Sequence, residues 1–385
     1  MTEILVQPGI TTQYYWMDET GKQAPFRPRF DGTHSEIEKN REDKGFLVLS
    51  LDGGGVRGYL QVCLLADLES KLGPDARIGE IAHLIGGTSV GGLLTMLLLK
   101  RDPKNPERCQ YSARWLKDNF QSLAEEVFDR KPESLLWKIF KTVFGIFFKV
   151  FGIFWDIDHP EYSRAGLISI GEKYLQGELA KNARTHFCIA TYELGKKMRT
   201  LFVSKENAGE GFFRNITMAE LGTITSAAPV FFDPAPYKNG EFMDGGIWCN
   251  DPSLAAFQTA QKVAPMGRKI HVLSLGTGIT PTAVDSNPKR KHWGLLQIVP
   301  SLIDLFMNSQ TQGVNEEMKQ QEGLASYHRF QPVMANAPSL DAADPKTWAL
   351  LDKVAQEIIQ SPQWAETVEL WQKEAARVRP SHIKT

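Results

Sequence analysis

The chain has 385 residues, of which 42% are hydrophobic and 23% are charged, and its formal net charge is −1. These values are typical of a globular protein that can bury a large core. The balanced charge gives no reason to expect nucleic acid as a partner. Four cysteines, Cys63, Cys109, Cys188 and Cys249, are far apart and include no C-x-x-C pair, which argues against a zinc knot or a disulfide framework.

Residues 1–44 are predicted to form an N-terminal arm, because polar and turn-forming residues dominate this stretch. The first nine residues lack the basic flank and the unbroken apolar run of a secretory signal. We therefore predict a cytoplasmic protein.

A glycine loop follows the first predicted strand, residues 46–51, and leads into an apolar helix. Its glycines match G-x-G-x-x-G, so a nicotinamide-dependent enzyme is one alternative. Against it, Asp52 would place a carboxylate beside the pyrophosphate. Three successive glycines, Gly53, Gly54 and Gly55, are better suited to donating N–H groups to a small oxyanion. Arg57 either holds this loop or contacts a phosphate.

A second strand and helix, predicted for residues 81–85 and 90–98, are joined by the sequence G-T-S-V-G. Gly87 and Gly91 permit a turn so tight that Ser89 Oγ is exposed at the N-terminus of the helix. Negative charge is favoured there, so the turn suits a nucleophile. A Gly/Ser loop before an apolar helix is the alternative. Two consecutive strand-turn-helix units predict a mainly parallel sheet with helices on its faces.

Residues 135–155 form an apolar, mostly aromatic stretch. They are predicted to belong to a helical cap or lid insertion that spans residues 105–165. At about 100° per residue, Lys138, Lys141 and Lys149 fall in one narrow sector. A transmembrane helix is not expected to carry three lysines that each cost ~2.5–3.5 kcal/mol at its centre. The pattern favours a helix in a lipid interface or a lid over an apolar pocket, with a core helix of a cap subdomain as the alternative.

A second candidate catalytic side chain follows a short strand later in the chain. A capping box, Thr217 with Glu220, begins a helix, and a short strand at 241–243 delivers Asp244 before two glycines. A serine needs a base to act as a nucleophile, and Asp244 is the candidate. A poorly solvated pocket should raise its pKa. Further strands are predicted at residues 186–191, 199–203 and 270–275. A helix is predicted at residues 345–377, within a C-terminal helical extension at 333–385.

A Ser-His-Asp triad is the competing assignment. It would use one of three histidines, His83, His186 or His271. Each lies inside an apparent strand, where a structural role is commoner than a catalytic one.

Taken together, these motifs resemble the patatin-like phospholipase family, which carries them in this order. The resemblance covers roughly residues 45–332. It rests on D-G-G-G-V-R-G at 52–58, G-T-S-V-G at 87–91, S-A-A-P-V-F-F at 226–232, D-G-G at 244–246 and L-G-T-G at 275–278.

The resemblance implies a three-layer α/β/α sandwich with a mainly parallel central sheet and an amphipathic helical insertion. It also implies cleavage of acyl esters of phospholipids or lysophospholipids without calcium, another metal or a cofactor. The implied site consists of the Ser89/Asp244 dyad, an oxyanion hole at Gly53, Gly54 and Gly55, its support Arg57, and the elbow glycines Gly87 and Gly91.

Two other functions share parts of this pattern. An acyltransferase would pass the acyl group to an alcohol or thiol instead of water, and a lipid-binding module would carry a silent serine. Some bacterial members are effectors switched on by a cyclic nucleotide or a host factor. The resemblance therefore allows a regulated membrane-degrading effector with a small-molecule or protein activator, associated peripherally with a membrane through residues 135–155 when active.

Overall fold

The computed structural model describes residues 45–128, 162–204, 215–280, 307 and 309–378. The predicted arm at 1–44 and the aromatic stretch at 135–155 lie outside the described residues. None of the helices in the described ranges combines the length and the apolar character needed to cross a bilayer.

Within the described residues, eight strands form one mixed sheet and two form a separate hairpin. The strands are β1 (Gly45–Leu51), β2 (Leu84–Thr88), β3 (Arg101–Asp102), β4 (Asn105–Cys109), β5 (His186–Glu193), β6 (Met198–Val203), β7 (Ala235–Tyr237), β8 (Gly240–Asp244), β9 (Lys269–Leu275) and β10 (Leu324–Phe330). The sheet order is β10-β9-β1-β2-β5-β8-β7, with β6 also paired to β5. Strands β10, β9, β1, β2 and β5 are parallel, whereas β6 and β8 run antiparallel to β5. The prediction of a mainly parallel sheet is confirmed.

Helices connect these strands and cover the sheet. They are α1 (Tyr59–Leu72), α2 (Ile78–Ile81), α3 (Val90–Leu99), α4 (Ala113–Val127), α5 (Ala165–Ile170), α6 (Met218–Thr225), α7 (Gly246–Cys249), α8 (Ser253–Val263), α9 (Pro345–Ile359) and α10 (Pro362–Val378). Residues 309–318 are also helical. Short 3-10 turns occupy Gly55–Gly58 and Ala180–Asn182, and Gly171–Leu175 forms a π turn.

Alternate residues of β1 face two different hydrophobic cores, as the two-residue period of a strand requires. Leu47 and Leu49 pack into a core shared with helices α1, α3, α4, α9 and α10. Phe46 and Val48 pack on the opposite face with Phe257 of α8. Helices therefore cover both faces, which confirms the predicted three-layer α/β/α arrangement.

Several elements are longer than predicted by one or two residues, and two differ more. The strand predicted for residues 81–85 begins at Leu84, because residues 78–81 form a helical turn whose Ile78 N–H is bound by Glu69 Oε1 at 2.8 Å. A short apolar run does not by itself distinguish a helix from a strand. The helix predicted for residues 345–377 is two helices, because Pro362 cannot continue the preceding helix and begins a new one.

The C-terminal helices share the main core with the sheet. Trp348, Trp364 and Trp371 are buried in it, and Trp364 Nε1 donates to Asp67 Oδ2 of α1 at 2.6 Å. The boundary predicted at residue 333 remains a prediction, but the helices beyond it are packed as part of the same core.

We expect Trp364→Ala to lower the free energy of unfolding by about 3–5 kcal/mol, because it leaves a large cavity in a buried site. The measurement is equilibrium unfolding in urea. Met266→Ala is the control, since Met266 is 61% exposed and a change there should stay within about 0.5 kcal/mol. Equal stability of the two variants would show that the C-terminal helices do not support the sheet.

Candidate active site

The register of the sheet places Ser89 and Asp244 at nearly the same height along the neighbouring strand β5. Thr88, the last residue of β2, pairs with Ala190 of β5. The next residue of β5, Thr191, pairs with Asp244 on its other side. Ser89 and Asp244 therefore approach each other across β5, close enough for the Ser89 hydroxyl to lower the pKa of the Asp244 carboxylate.

The backbone of Ser89 is held in an unusual conformation. Its φ is 55° and its ψ is −127°, in a region that L-residues other than glycine rarely adopt. The Ser89 N–H donates to Thr225 Oγ1 at 3.0 Å, and Thr225 Oγ1 donates to the Ala190 carbonyl at 2.7 Å. Thr225 thus fixes the turn to β5.

The two elbow glycines are required by close backbone approaches. A Cβ on Gly91 would lie 2.2 Å from the Leu51 carbonyl oxygen, and one on Gly87 would lie 2.5 Å from the Gly91 carbonyl oxygen. Backbone atoms cannot move aside as a flexible side chain can. The turn that follows β2 and exposes Ser89 therefore depends on both glycines, as the sequence predicts.

Asp244 is buried, with 4% of its surface exposed. Its Oδ1 accepts from the Gly246 N–H at 2.7 Å. Burial raises the pKa of Asp244 to about 6, against the lowering effect of the hydrogen bonds from Ser89 and Gly246. A carboxylate with this pKa is a stronger base than an exposed aspartate and remains largely ionised at neutral pH.

The glycine loop offers two N–H groups to the site. The Gly53 N–H donates to the Asn250 carbonyl at 3.1 Å, so it is not available to a ligand. Gly54 and Gly55 line a cavity beside Ser89, and the hydrogen bonds of the described residues leave their N–H groups without a partner. Of the three glycines predicted to form an oxyanion hole, Gly53 is the one whose N–H is bonded within the described residues; the hole itself remains a prediction.

Arg57 holds the glycine loop from behind. Its side chain is 3% exposed, and Nε donates to the Pro338 carbonyl at 2.6 Å. The neighbouring Val56 N–H donates to the Leu340 carbonyl at 2.8 Å. Of the two roles considered for Arg57, this geometry favours support of the loop over contact with a phosphate.

Arg329 of β10 forms a buried ion-pair network beneath the site. Its guanidinium donates to both oxygens of Asp52, at 2.7 and 2.5 Å, and lies 3.4 Å from Asp251 Oδ2. Burial lowers the pKa of Arg329, but the carboxylates of Asp251 and Asp52 raise it further, so its pKa lies above the ordinary value and it stays charged. Sequence analysis missed this residue because it is 277 residues from Asp52 and carries no local motif.

Asn250 and Ser226 are two further polar residues of the cavity that sequence analysis did not identify. Asn250 follows Asp244 in D-G-G-I-W-C-N, and Ser226 begins S-A-A-P-V-F-F. Their closeness to these motifs is the only sequence signal for either residue.

An apolar cavity of about 300 Å³ extends from the dyad between α3, α4 and α5. Polar groups are confined to the end at Ser89, as in sites that bind an apolar ligand and orient it by a few polar contacts. The far walls include Leu94, Leu97, Phe120, Leu123, Leu167 and Ile170.

None of the four histidines among the described residues lines this cavity. His83 Nδ1 accepts from the Leu47 N–H at 3.0 Å, and His186 pairs with Leu84 at the start of β2, whereas Ser89 follows its end. His271 and His328 bond to Ser326 and Thr367. The described histidines thus offer no triad.

Across the described ranges, no three His, Cys, Asp or Glu side chains are grouped so as to hold a metal ion. All four cysteines are buried and free.

A family model described as patatin-like phospholipase matches residues 49–257, more than half of the chain. The chain belongs to the patatin-like phospholipase family. Members of this family are lipid acyl hydrolases, so the family supports a hydrolase. Ser89 and Asp244 both lie within the matched residues.

Two plant relatives show how far the likeness extends. Patatin-like protein 2 of Arabidopsis thaliana is 27% identical over 354 residues, which cover 82% of this chain and 83% of the relative. Patatin-like protein 2 of Oryza sativa subsp. indica is 32% identical over 229 residues, which cover 56% of this chain and 53% of the relative. The chain thus matches most of the first relative and about half of the second.

Among solved structures, VipD from Legionella pneumophila is similar with a TM-score of 0.30 and 14% identity, covering 82% of this chain and 67% of that chain. A score this low supports no conclusion about fold or function.

We expect Gly91→Ala to destabilise the patatin-like fold by about 1–3 kcal/mol, because the added methyl group meets backbone carbonyls. Gly195→Ala is the matched control, since a Cβ there has nothing within 4 Å. Urea unfolding of both variants gives the comparison. If Gly91→Ala were as stable as Gly195→Ala, the elbow would not be as tightly packed as the structure shows.

Proposed function

We propose that this protein is a calcium-independent phospholipase A or lysophospholipase that cleaves fatty acyl esters through an acyl-enzyme on Ser89. The observation that carries the proposal is the closeness of the Ser89 hydroxyl to the buried carboxylate of Asp244, whose pKa it lowers, at the polar end of an apolar cavity. A nucleophile beside its base, next to free N–H groups, is the arrangement that acyl transfer needs.

In the first half-reaction, ionised Asp244 accepts the proton of Ser89 Oγ while Oγ attacks the ester carbonyl carbon. The carbonyl oxygen becomes negatively charged and accepts hydrogen bonds from Gly54 and Gly55. Collapse of this intermediate breaks the ester bond, and the leaving alcohol takes the proton from Asp244. The fatty acyl group remains bonded to Ser89.

In the second half-reaction, Asp244 accepts a proton from water, and the resulting hydroxide attacks the acyl-enzyme. The same N–H groups stabilise the negative oxygen. Release of the fatty acid returns the proton to Ser89 Oγ. An alcohol or thiol in place of water would give acyl transfer, which uses the same residues.

The cavity supports a long apolar acyl chain as the substrate group. Its walls are apolar beyond the dyad, so a chain enters without leaving polar groups unpaired. The proposed substrate is therefore a phospholipid or lysophospholipid whose ester lies at Ser89 and whose acyl chain lies between α4 and α5.

Apolar side chains exposed beside the cavity support substrate taken from a lipid surface. Ile247 lines the cavity and is 39% exposed, and Val230, 49% exposed, lies between the lining residues Pro229 and Phe231. Exposed apolar groups beside a pocket are typical of a lipid contact site. We therefore propose peripheral association of a cytoplasmic protein with a membrane; contact through residues 135–155 and control by an activator belong to the same proposal.

We expect Ser89→Ala to abolish both hydrolysis of phospholipid vesicles and labelling by a fluorophosphonate. Asp244→Asn should lower hydrolysis by about 10²–10⁴, because it removes the general base. Asp233→Asn, an exposed carboxylate nearby, is the matched control and should retain full activity. Wild-type protein that neither cleaves lipid nor labels at Ser89 would leave a lipid-binding module as the better account.

The stability of Asp244→Asn serves as its folding control. Since the pKa of Asp244 is raised in the folded protein, the ionised carboxylate disfavours folding above that pKa. The neutral amide removes this cost, so the thermal midpoint of Asp244→Asn at pH 8 should equal or exceed that of the wild type. A lower midpoint would mean that lost activity reflects lost structure.

We expect kcat/KM for a soluble ester to fall as the pH drops through about 6, the pKa of Asp244. The base must be ionised to accept the Ser89 proton, so the rate should fall about tenfold per pH unit on the acid side and reach a plateau above pH 7. Steady-state assays from pH 4.5 to 8.5 measure this. A profile that stays flat down to pH 5 would contradict the role of Asp244.

A further inference from the structure

Asn250 presents an unpartnered amide to the cavity. The residue is 3% exposed and lines the cavity. Its backbone is bonded on both sides, since its carbonyl accepts from Gly53 N–H and its N–H donates to Gln310 Oε1 at 3.1 Å. In the described part of the chain, its side-chain amide makes no hydrogen bond. The amide is therefore available to pair with a bound ligand.

The amide lies beside both members of the dyad. A Cβ placed on Gly53 would be 2.6 Å from Asn250 Oδ1 and 3.1 Å from Ser89 Cβ. A Cβ placed on Gly246 would be 3.1 Å from Asp244 Oδ1 and 3.4 Å from Asn250 Oδ1. The Asn250 side chain therefore lies near the place where Ser89 would attack an ester carbonyl.

We infer that Asn250 is a catalytic residue whose side-chain N–H donates to the oxyanion, as a third donor beside Gly54 and Gly55. This inference rests on the proposed function. The Gly53 N–H cannot fill that role because it is bound to the Asn250 carbonyl. The same contact instead fixes the backbone from which the Asn250 amide extends.

The amide can present either end to the substrate. A half-turn about the Cβ–Cγ bond exchanges its oxygen and nitrogen without moving the backbone. With the nitrogen toward the ester, one N–H reaches the oxyanion. Because negative charge develops on that oxygen only as the tetrahedral intermediate forms, the contact strengthens in the transition state and acts on kcat rather than on KM.

The test compares wild type, Asn250→Ala and Asn250→Asp on p-nitrophenyl butyrate, with Asn182→Ala as the control. Asn182 is an exposed asparagine whose side chain bonds to Glu178. We expect Asn250→Ala to lower kcat by about 10²–10³, the usual loss for one oxyanion donor, with KM changed less than threefold. The rate of inactivation by a fluorophosphonate should fall in parallel, since its phosphoryl oxygen uses the same donors.

Asn250→Asp keeps the shape of the side chain and so tests the position if the alanine variant is unstable. A second carboxylate beside Asp244 should raise the pKa of the base, which moves the acid limb of the pH profile to higher pH while kcat falls. The shift of the limb reports that residue 250 is close to Asp244, and the loss of kcat on the plateau, where Asp244 is ionised, reports the lost donor. Asn182→Ala should match the wild type in every measurement.

Two results overturn the inference differently. If the wild type is active and the kcat of Asn250→Ala lies within threefold of the wild-type kcat, the role of Asn250 alone is overturned. The same holds if the variant loses activity only through a higher KM. Wild-type protein that cleaves no ester and is not labelled at Ser89 would overturn the proposed function, and the role of Asn250 with it.

Discussion

The buried guanidinium of Arg329 joins the two segments that build the site. Asp52 immediately precedes the glycine loop, and Asp251 immediately follows Asn250, so one side chain of β10 restrains both. The Gly53 to Asn250 hydrogen bond lies between these anchors. Burying ionised side chains costs several kcal/mol per ion, and such networks add little net stability compared with apolar packing. We interpret the network as fixing the relative position of the two loops, which apolar contacts would hold less specifically.

Unfavourable features are concentrated around Ser89. The serine has a left-handed backbone, Asp244 is ionisable and buried, and the Ser226 hydroxyl is buried without a hydrogen bond in the part of the chain described. Backbone strain and an unpaired buried polar group each cost roughly 1–3 kcal/mol. The surrounding sheet, with strands buried on both faces, supplies the stability that allows these features to persist.

Local sequence could identify the residues whose roles depend on short-range geometry. Gly87, Ser89 and Gly91 form one tight turn, and their spacing alone predicts it. Asp244 was found because a strand end followed by two glycines is also a local pattern. Residues whose roles depend on long-range contacts carry no such local sequence pattern. Arg329 acts through Asp52, 277 residues away. The Gly53 N–H bonds to the Asn250 carbonyl only because two loops distant in sequence meet.

The parallel sheet was likewise predictable, whereas one boundary was not. Two strand-turn-helix units in succession favour a parallel arrangement, and the continuous apolar run of β1 is typical of a strand buried on both faces. The apolar run at residues 81–85 fits a helix or a strand equally well. Its first residue, Ile81, ends the helical turn at 78–81, whose Ile78 N–H is bound by the buried carboxylate of Glu69. A tertiary contact thus determines where the helical turn ends and the strand begins.

A single carboxylate can serve as the base here because opposing effects set its pKa. Burial favours the protonated form of Asp244, which could accept no proton. The hydrogen bonds from Ser89 and the Gly246 N–H favour the ionised form and hold the pKa near 6. At neutral pH the group is therefore charged in most molecules, yet it is a much stronger base than an exposed aspartate. Gly246 contributes its N–H to this balance, and Gly245 is required because a Cβ there would lie 2.4 Å from the Ala190 carbonyl oxygen.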